Sequence, residues 1–125
     1  MSAFNDLITH YLDKGNVEMA NRIEDERRMA SGLIRACLAK KYMVSIHNGE
    51  DWALVKSRNY AEIMDALWQT DEEMVLIRET DGSKVGRFFL VYGNSGEELI
   101  ADYTDNDACN AIWNELEPLR SKLSR

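Results

Sequence analysis

Cysteine occurs twice in this sequence of 125 residues and histidine twice, and all four lie far apart, so no zinc-type ligand spacing exists. Cys37 and Cys109 each sit in an apolar helical pattern, where a free thiol behaves as a small hydrophobe; a disulfide between them is not expected. Proline occurs once, as Pro118, where it ends or kinks the last helix. Long apolar runs are missing, and none approaches the roughly 18–20 residues of a membrane span. The start, Met-Ser-Ala-Phe-Asn-Asp, has neither the basic residues nor the apolar centre of a signal peptide. The expectation is a cytoplasmic protein with no membrane association. Phosphate-cradling loops and dinucleotide fingerprints are also absent, so no cofactor is expected.

What is present is enough for one hydrophobic core and too little for two. Hydrophobic residues make up 45% and charged residues 30%, and eleven aromatic side chains run from Phe4 to Trp113, which excludes a disordered chain. The net charge of −7 is unevenly spread. Residues 1–41 carry six acids and seven bases, whereas residues 42–125 carry sixteen acids and eight bases. From Glu97 to Glu117 there are seven acids (Glu97, Glu98, Asp102, Asp105, Asp107, Glu115 and Glu117) and no base. Such a surface repels nucleic acid and anionic lipid. It either solvates the chain or forms an acidic interaction face.

Hydrophobic periodicity gives the order α-α-β-β-α-β-β-β-α. Phe4, Leu7, Ile8, Tyr11 and Leu12 share one helical face, Gly15 stops that helix, and Asn16 caps the next, which runs over about residues 17–41. In the second helix Met19, Ile23, Ala30, Leu33 and Cys37 recur as in a coiled-coil seam, weakened by Glu26 and Lys40 on the same seam. Its middle, Arg22 to Arg28, is dense in charge and expected to be solvated, and Ser31-Gly32 can divide the helix. Strands are expected at 42–46, 52–56, 74–78, 85–92 and about 99–103. Asn48-Gly49 is the strongest hairpin signal, and a three-residue loop would pair Ile46 with Trp52 and Val44 with Leu54. Asn59 with Glu62 forms a capping box for a short helix. The unbroken run Phe88-Phe89-Leu90-Val91 predicts a strand buried on both faces at the sheet centre. Thr104 or Asp105 caps the last helix, and the basic tail beyond Arg120 is expected to fray. The fold class is therefore α+β: an antiparallel sheet of about five strands with helices packed mainly on one face. Residues 1–125 form a single domain, of which 1–30 is a helical N-terminal extension.

No catalytic constellation emerges. Ser95 between Gly93 and Gly96 has no base tied to it, and a hairpin turn explains the four residues. His47 with Glu50 and Asp51 decorates a polar hairpin tip, where little tunes a proton affinity. Asp102 to Asp107 lacks the acid spacing of a calcium loop. Trp52, Trp68 and Trp113 fall at patterned core positions. An enzyme would need a site assembled in space from His47, Glu50, Asp102 and Tyr103.

Four segments, residues 34–40, 44–52, 91–94 and 99–106, resemble a group of small uncharacterised proteins from bacteriophages and prophages of proteobacteria. The resemblance covers about residues 31–113, leaves the first 30 as variable, and implies a phage context without an assigned activity. The leading expectation is a non-enzymatic accessory protein acting through protein–protein contacts. Met19, Ile23, Ala30 and Leu33 offer a seam on which two copies can form a homodimer through the N-terminal helices. The alternative is a DNA mimic, whose spaced carboxylates occupy a host nucleic-acid-binding site.

Overall fold

The computed structural model describes residues 3–124. Its elements are α1 (Ala3–Asp13), α2 (Val17–Ala39), β1 (Met43–His47), β2 (Trp52–Ser57), α3 (Tyr60–Asp65), β3 (Glu72–Arg78), β4 (Lys84–Val91), β5 (Ile100–Tyr103), α4 (Asp107–Glu115) and α5 (Glu117–Leu123). The five strands form one antiparallel sheet in the order β2-β1-β3-β4-β5. The α+β class and the order of helices and strands are as the periodicity predicts.

Helix boundaries follow from local chemistry. Gly15 adopts φ +72° after α1, and Asn16 then accepts the Met19 N–H on its side-chain oxygen at 3.1 Å. Asn59 caps α3 through the Glu62 N–H at 3.0 Å. At α4 the cap is Asn106, one or two residues beyond the expected Thr104 or Asp105; its Oδ1 accepts the Cys109 N–H at 2.8 Å while its amide donates to the Val85 carbonyl. Helix α2 is continuous through Ser31-Gly32. A Cβ at Gly32 would lie 2.8 Å from a Leu119 methyl, so the missing side chain lets the α5 region pack on α2 rather than dividing it.

Alternation along the strands separates two faces. Val44 and Ile46 of β1, Val75 and Ile77 of β3, and Phe88 and Leu90 of β4 are buried beneath the helices, together with Ile23, Met29, Leu33, Ile34 and Cys37 of α2 and Cys109 and Ile112 of α4. Phe4 of α1 joins the same core, edge-on to the Trp68 ring. The strand β4 is not buried on both faces: Phe88 and Leu90 are buried, whereas Phe89 and Val91 are only partly so. It stands fourth in the sheet, β3 holds the centre, and helices cover one side alone.

The β1–β2 register also differs from expectation. Ile46 pairs with Leu54 and His47 with Trp52, across a four-residue loop at 48–51. The Asn48 side-chain oxygen accepts the N–H groups of both Glu50 and Asp51, and the Asn48 N–H donates to the Asp51 carbonyl, so Asp51 is held in the loop and β2 begins one residue later than a Gly-centred three-residue turn would set it. Trp52 consequently leaves the core and stands 51% exposed on the edge strand. Up to Ser124 the tail is ordered rather than frayed, with Pro118 in the first turn of α5 and Arg120 and Leu123 buried; Arg125 lies outside the described residues.

Candidate functional site

The face of the sheet away from the helices is uncovered. Across it run two rows fixed by strand register. One joins Trp52, His47, Met74, Phe89 and Asp102; the other joins Ser45, Leu76 and Arg87. Beyond the second row Arg78 lies opposite Met43 and Lys84, and beyond the first Glu72 lies opposite Val91. Met43, Met74, Leu76, Phe89 and Val91 belong neither to the core nor to the layer packed against it. Val55, next to the core-facing Leu54, is 57% exposed on the same side as Trp52. A helix-covered sheet normally gives its solvent side polar residues; here seven apolar side chains occupy it.

The face has electrical polarity along the strands. Arg78, Lys84 and Arg87 border a depression of about 220 Å³ floored by Leu76 and Ile77. Arg78 donates to the Gly82 carbonyl at 3.0 Å, and Thr104 takes the Arg87 backbone N–H on its hydroxyl. Glu72 occupies the opposite end. A second, smaller hollow of about 190 Å³ lies between Arg87, Phe89 and Asp102.

The residues proposed from sequence are placed as follows. All seven acids from Glu97 to Glu117 are exposed, but they do not share one surface. Glu97 and Glu98 line a polar concavity of about 670 Å³ with Glu18, Arg22 and Asp25 of α2. Asp102 lies on the uncovered sheet face beside Phe89. Asp105 and Asp107 flank the start of α4, Asp105 accepting the Asn110 amide at 3.1 Å. Glu115 pairs with Lys40 and Glu117 with Arg120, each at 2.5 Å, so bases from outside the 97–117 segment offset two of the seven. Of the helical seam, Ile23, Ala30 and Leu33 are buried in the chain's own core and Met19 is partly buried against it. The stripe is covered by α1, α3, α4 and α5 together with β1.

His47 and Glu50 stand at one end of the β1–β2 hairpin, while Asp102 lies three strands from His47 in the same row, roughly 14 Å away at strand spacing. The four residues of an assembled site are therefore not brought together. Tyr103 instead stacks between Phe88, at 5.7 Å, and Trp113, at 5.0 Å. Among the described residues no group of three or more His, Cys, Asp or Glu side chains is placed to hold a metal ion, and no helix is long and apolar enough to cross a membrane.

Two buried carboxyl groups escape sequence reasoning. Glu26, in the charged middle of α2, is 0% exposed. Its Oε2 accepts the Gly93 N–H at 2.8 Å, whereas Oε1 has no hydrogen-bond partner among the described residues. Burial pushes this carboxyl up to about 7, against the pull of the Gly93 and Asn94 N–H groups. Glu73 is held by the N–H groups of Trp68, Gln69 and Thr70 and by the Tyr92 hydroxyl, which donates to it at 2.5 Å. Burial raises the Glu73 carboxyl despite these donors, and burial with the adjoining carboxylate lifts the Tyr92 phenol well above its ordinary value. The signal for Glu26 was its place on the apolar seam, three residues after Ile23 and four before Ala30. For Glu73 no sequence signal exists, because its partners are the Tyr92 hydroxyl nineteen residues on and backbone groups of a turn in which Trp68 takes φ +64°. Each carboxyl ties its element to a neighbouring turn, and Glu26 also lines a small hollow of about 110 Å³ with Leu7, Tyr11, Met19, Asp71 and Tyr92.

The chain matches no protein-family model, no curated protein and no solved structure.

Proposed function

We propose that this chain is a non-enzymatic accessory protein that works by protein–protein contact, with the uncovered face of its sheet as the contact surface. The observation that carries this reading is the set of apolar side chains, Trp52 and Val55 above all, standing on a face that no helix among the described residues covers. Exposed apolar patches rimmed by charge are the usual mark of a protein-binding surface. The resemblance of residues 31–113 to phage and prophage proteins supports an accessory role during phage growth or lysogeny.

The test is capture from bacterial lysate by immobilised protein, at low and high salt, against the variant Phe89→Glu. A partner held through this face survives high salt and is lost from the variant. Proteins held equally by both forms, or nothing held by a chain that is also monomeric in solution, would count against the reading. Basic proteins released by salt and retained by Phe89→Glu would favour the DNA-mimic alternative instead.

A further inference from the structure

We infer that the occupant of the uncovered face is a second copy of this chain, packed sheet against sheet about a two-fold axis that runs across the strands. The inference rests on the reading that this face is a contact surface, and it adds the identity of the partner.

The pattern of charge is what selects a second copy. Arg78 and Glu72 lie on the same face of β3, six residues apart and symmetric about Val75. A two-fold axis crossing the sheet over the Ile46–Val75–Phe88 row turns the basic end of one copy onto the acidic end of the other. Arg78 then faces Glu72 of the second copy, and the pair occurs twice. The same operation sets Met74 against Leu76 and Phe89 against Arg87, an apolar contact and a cation over a ring. On the edge strand Trp52 and Val55, the two most exposed apolar residues of this face, cover each other. Arg78 and Glu72 are the charge pair this operation matches, while Lys84, opposite Arg78, is carried onto Val91.

The size suits a reversible association. Five strands at about 4.8 Å and a row length of about 20 Å give roughly 500 Å² per copy, or about 1,000 Å² in total. That is the lower bound of specific interfaces, so the dimer is expected to dissociate in the micromolar range rather than to be permanent. Aligned packing of two such sheets places them about 10 Å apart, within reach of the Arg78 and Glu72 side chains.

Sedimentation equilibrium from micromolar to millimolar concentration tests the inference, with thermal melts of each variant to confirm folding. The wild type is expected to show a monomer–dimer equilibrium. Glu72→Arg and Arg78→Glu are each expected to weaken it at least tenfold by opposing like charges, and the double exchange to restore it. Glu72→Arg changes an exposed side chain and serves if Arg78→Glu, which loses the bond to the Gly82 carbonyl, does not fold. A wild type that stays monomeric at millimolar concentration, or a dimer indifferent to both single exchanges, overturns the second copy as occupant. A monomer whose lysate partner is lost with Phe89→Glu keeps the contact reading and gives the face to another protein; a monomer with no such partner removes both.

Discussion

The Glu26 carboxylate accepts the backbone N–H of Gly93 across 67 positions of chain, and so ties the middle of α2 to the turn that follows β4. The contact places a carboxyl with one unpartnered oxygen in the interior, where the charged form is disfavoured.

Stability should therefore depend on pH through Glu26. Its folded-state value is about 7 against 4.5 for the free group, so the folded chain binds the proton more tightly. The native state is favoured below about 4.5, and the advantage is lost as pH rises through the window to about 7. At about 1.4 kcal/mol per tenfold change in affinity, the loss is on the order of 3 kcal/mol. Glu73, also raised, contributes with the same sign. Urea unfolding at pH 5, 6, 7 and 8 is expected to show this fall (about those pH values suffice to cover the window). Glu26→Gln should flatten most of it and leave the variant more stable than wild type at the alkaline end.

Gly96 and Gly32 should respond oppositely to alanine. A Cβ at Gly96 would stand 2.7 Å from the carbonyl carbon and oxygen of Asp25, which are backbone and cannot give way. Gly96→Ala is expected to cost about 2–3 kcal/mol by forcing α2 from the turn. At Gly32 the obstacle is the far end of the Leu119 side chain, and alanine gains about 1 kcal/mol of helix propensity, so Gly32→Ala should be near neutral. Thermal melts of the two variants read the difference.

Arg120 should prove the anchor of the C-terminal helix. Its guanidinium lies 3.6 Å from the centre of the Trp113 ring and donates to the Trp113 carbonyl at 2.7 Å. Arg120→Ala is expected to destabilise by about 2 kcal/mol, through the stacked cation and the buried charged hydrogen bond. Glu117→Ala should cost far less, because the Glu117 side chain is 64% exposed and its pair with Arg120 is screened.

Both thiols should be silent in the native state. Cys37 and Cys109 are free and buried, and burial pushes the Cys37 thiol up to about 12. Ellman's reagent is expected to label neither until the chain unfolds and both thereafter. Labelling of one thiol under native conditions would show local opening between α2 and α4.

The fold was readable where each residue's role is set by its near neighbours. Asn16 and Asn59 announced helix starts, Asn48-Gly49 a hairpin, and the periodicity of α2 its buried stripe. Reading failed where a distant group decided the outcome. Asn106 rather than Thr104 or Asp105 caps α4 because its amide also reaches the Val85 carbonyl. Trp52 looked like core until the Asn48 loop shifted its register. Phe89 and Val91 looked buried because an apolar run does not reveal that one face of a sheet lacks a cover. That last gap matters most, since the candidate site is the side left uncovered, and only the three-dimensional arrangement of the helices defines it.

The clamp of α2 onto the turn after β4 also bears on the order of assembly during synthesis. Helices α1 and α2 leave the ribosome first, yet Gly93 and Gly96, the groups that seat α2, are made more than fifty residues later. The Glu26 clamp therefore cannot close until the turn after β4 has been made, although α1, β1 and α3, against which α2 also packs, come before it. Until then the dense charge from Arg22 to Arg28 keeps the nascent helix dispersed, and Glu26 remains ionised in water. Closing of this clamp is thus a late step, and one that takes up a proton when it occurs near neutral pH.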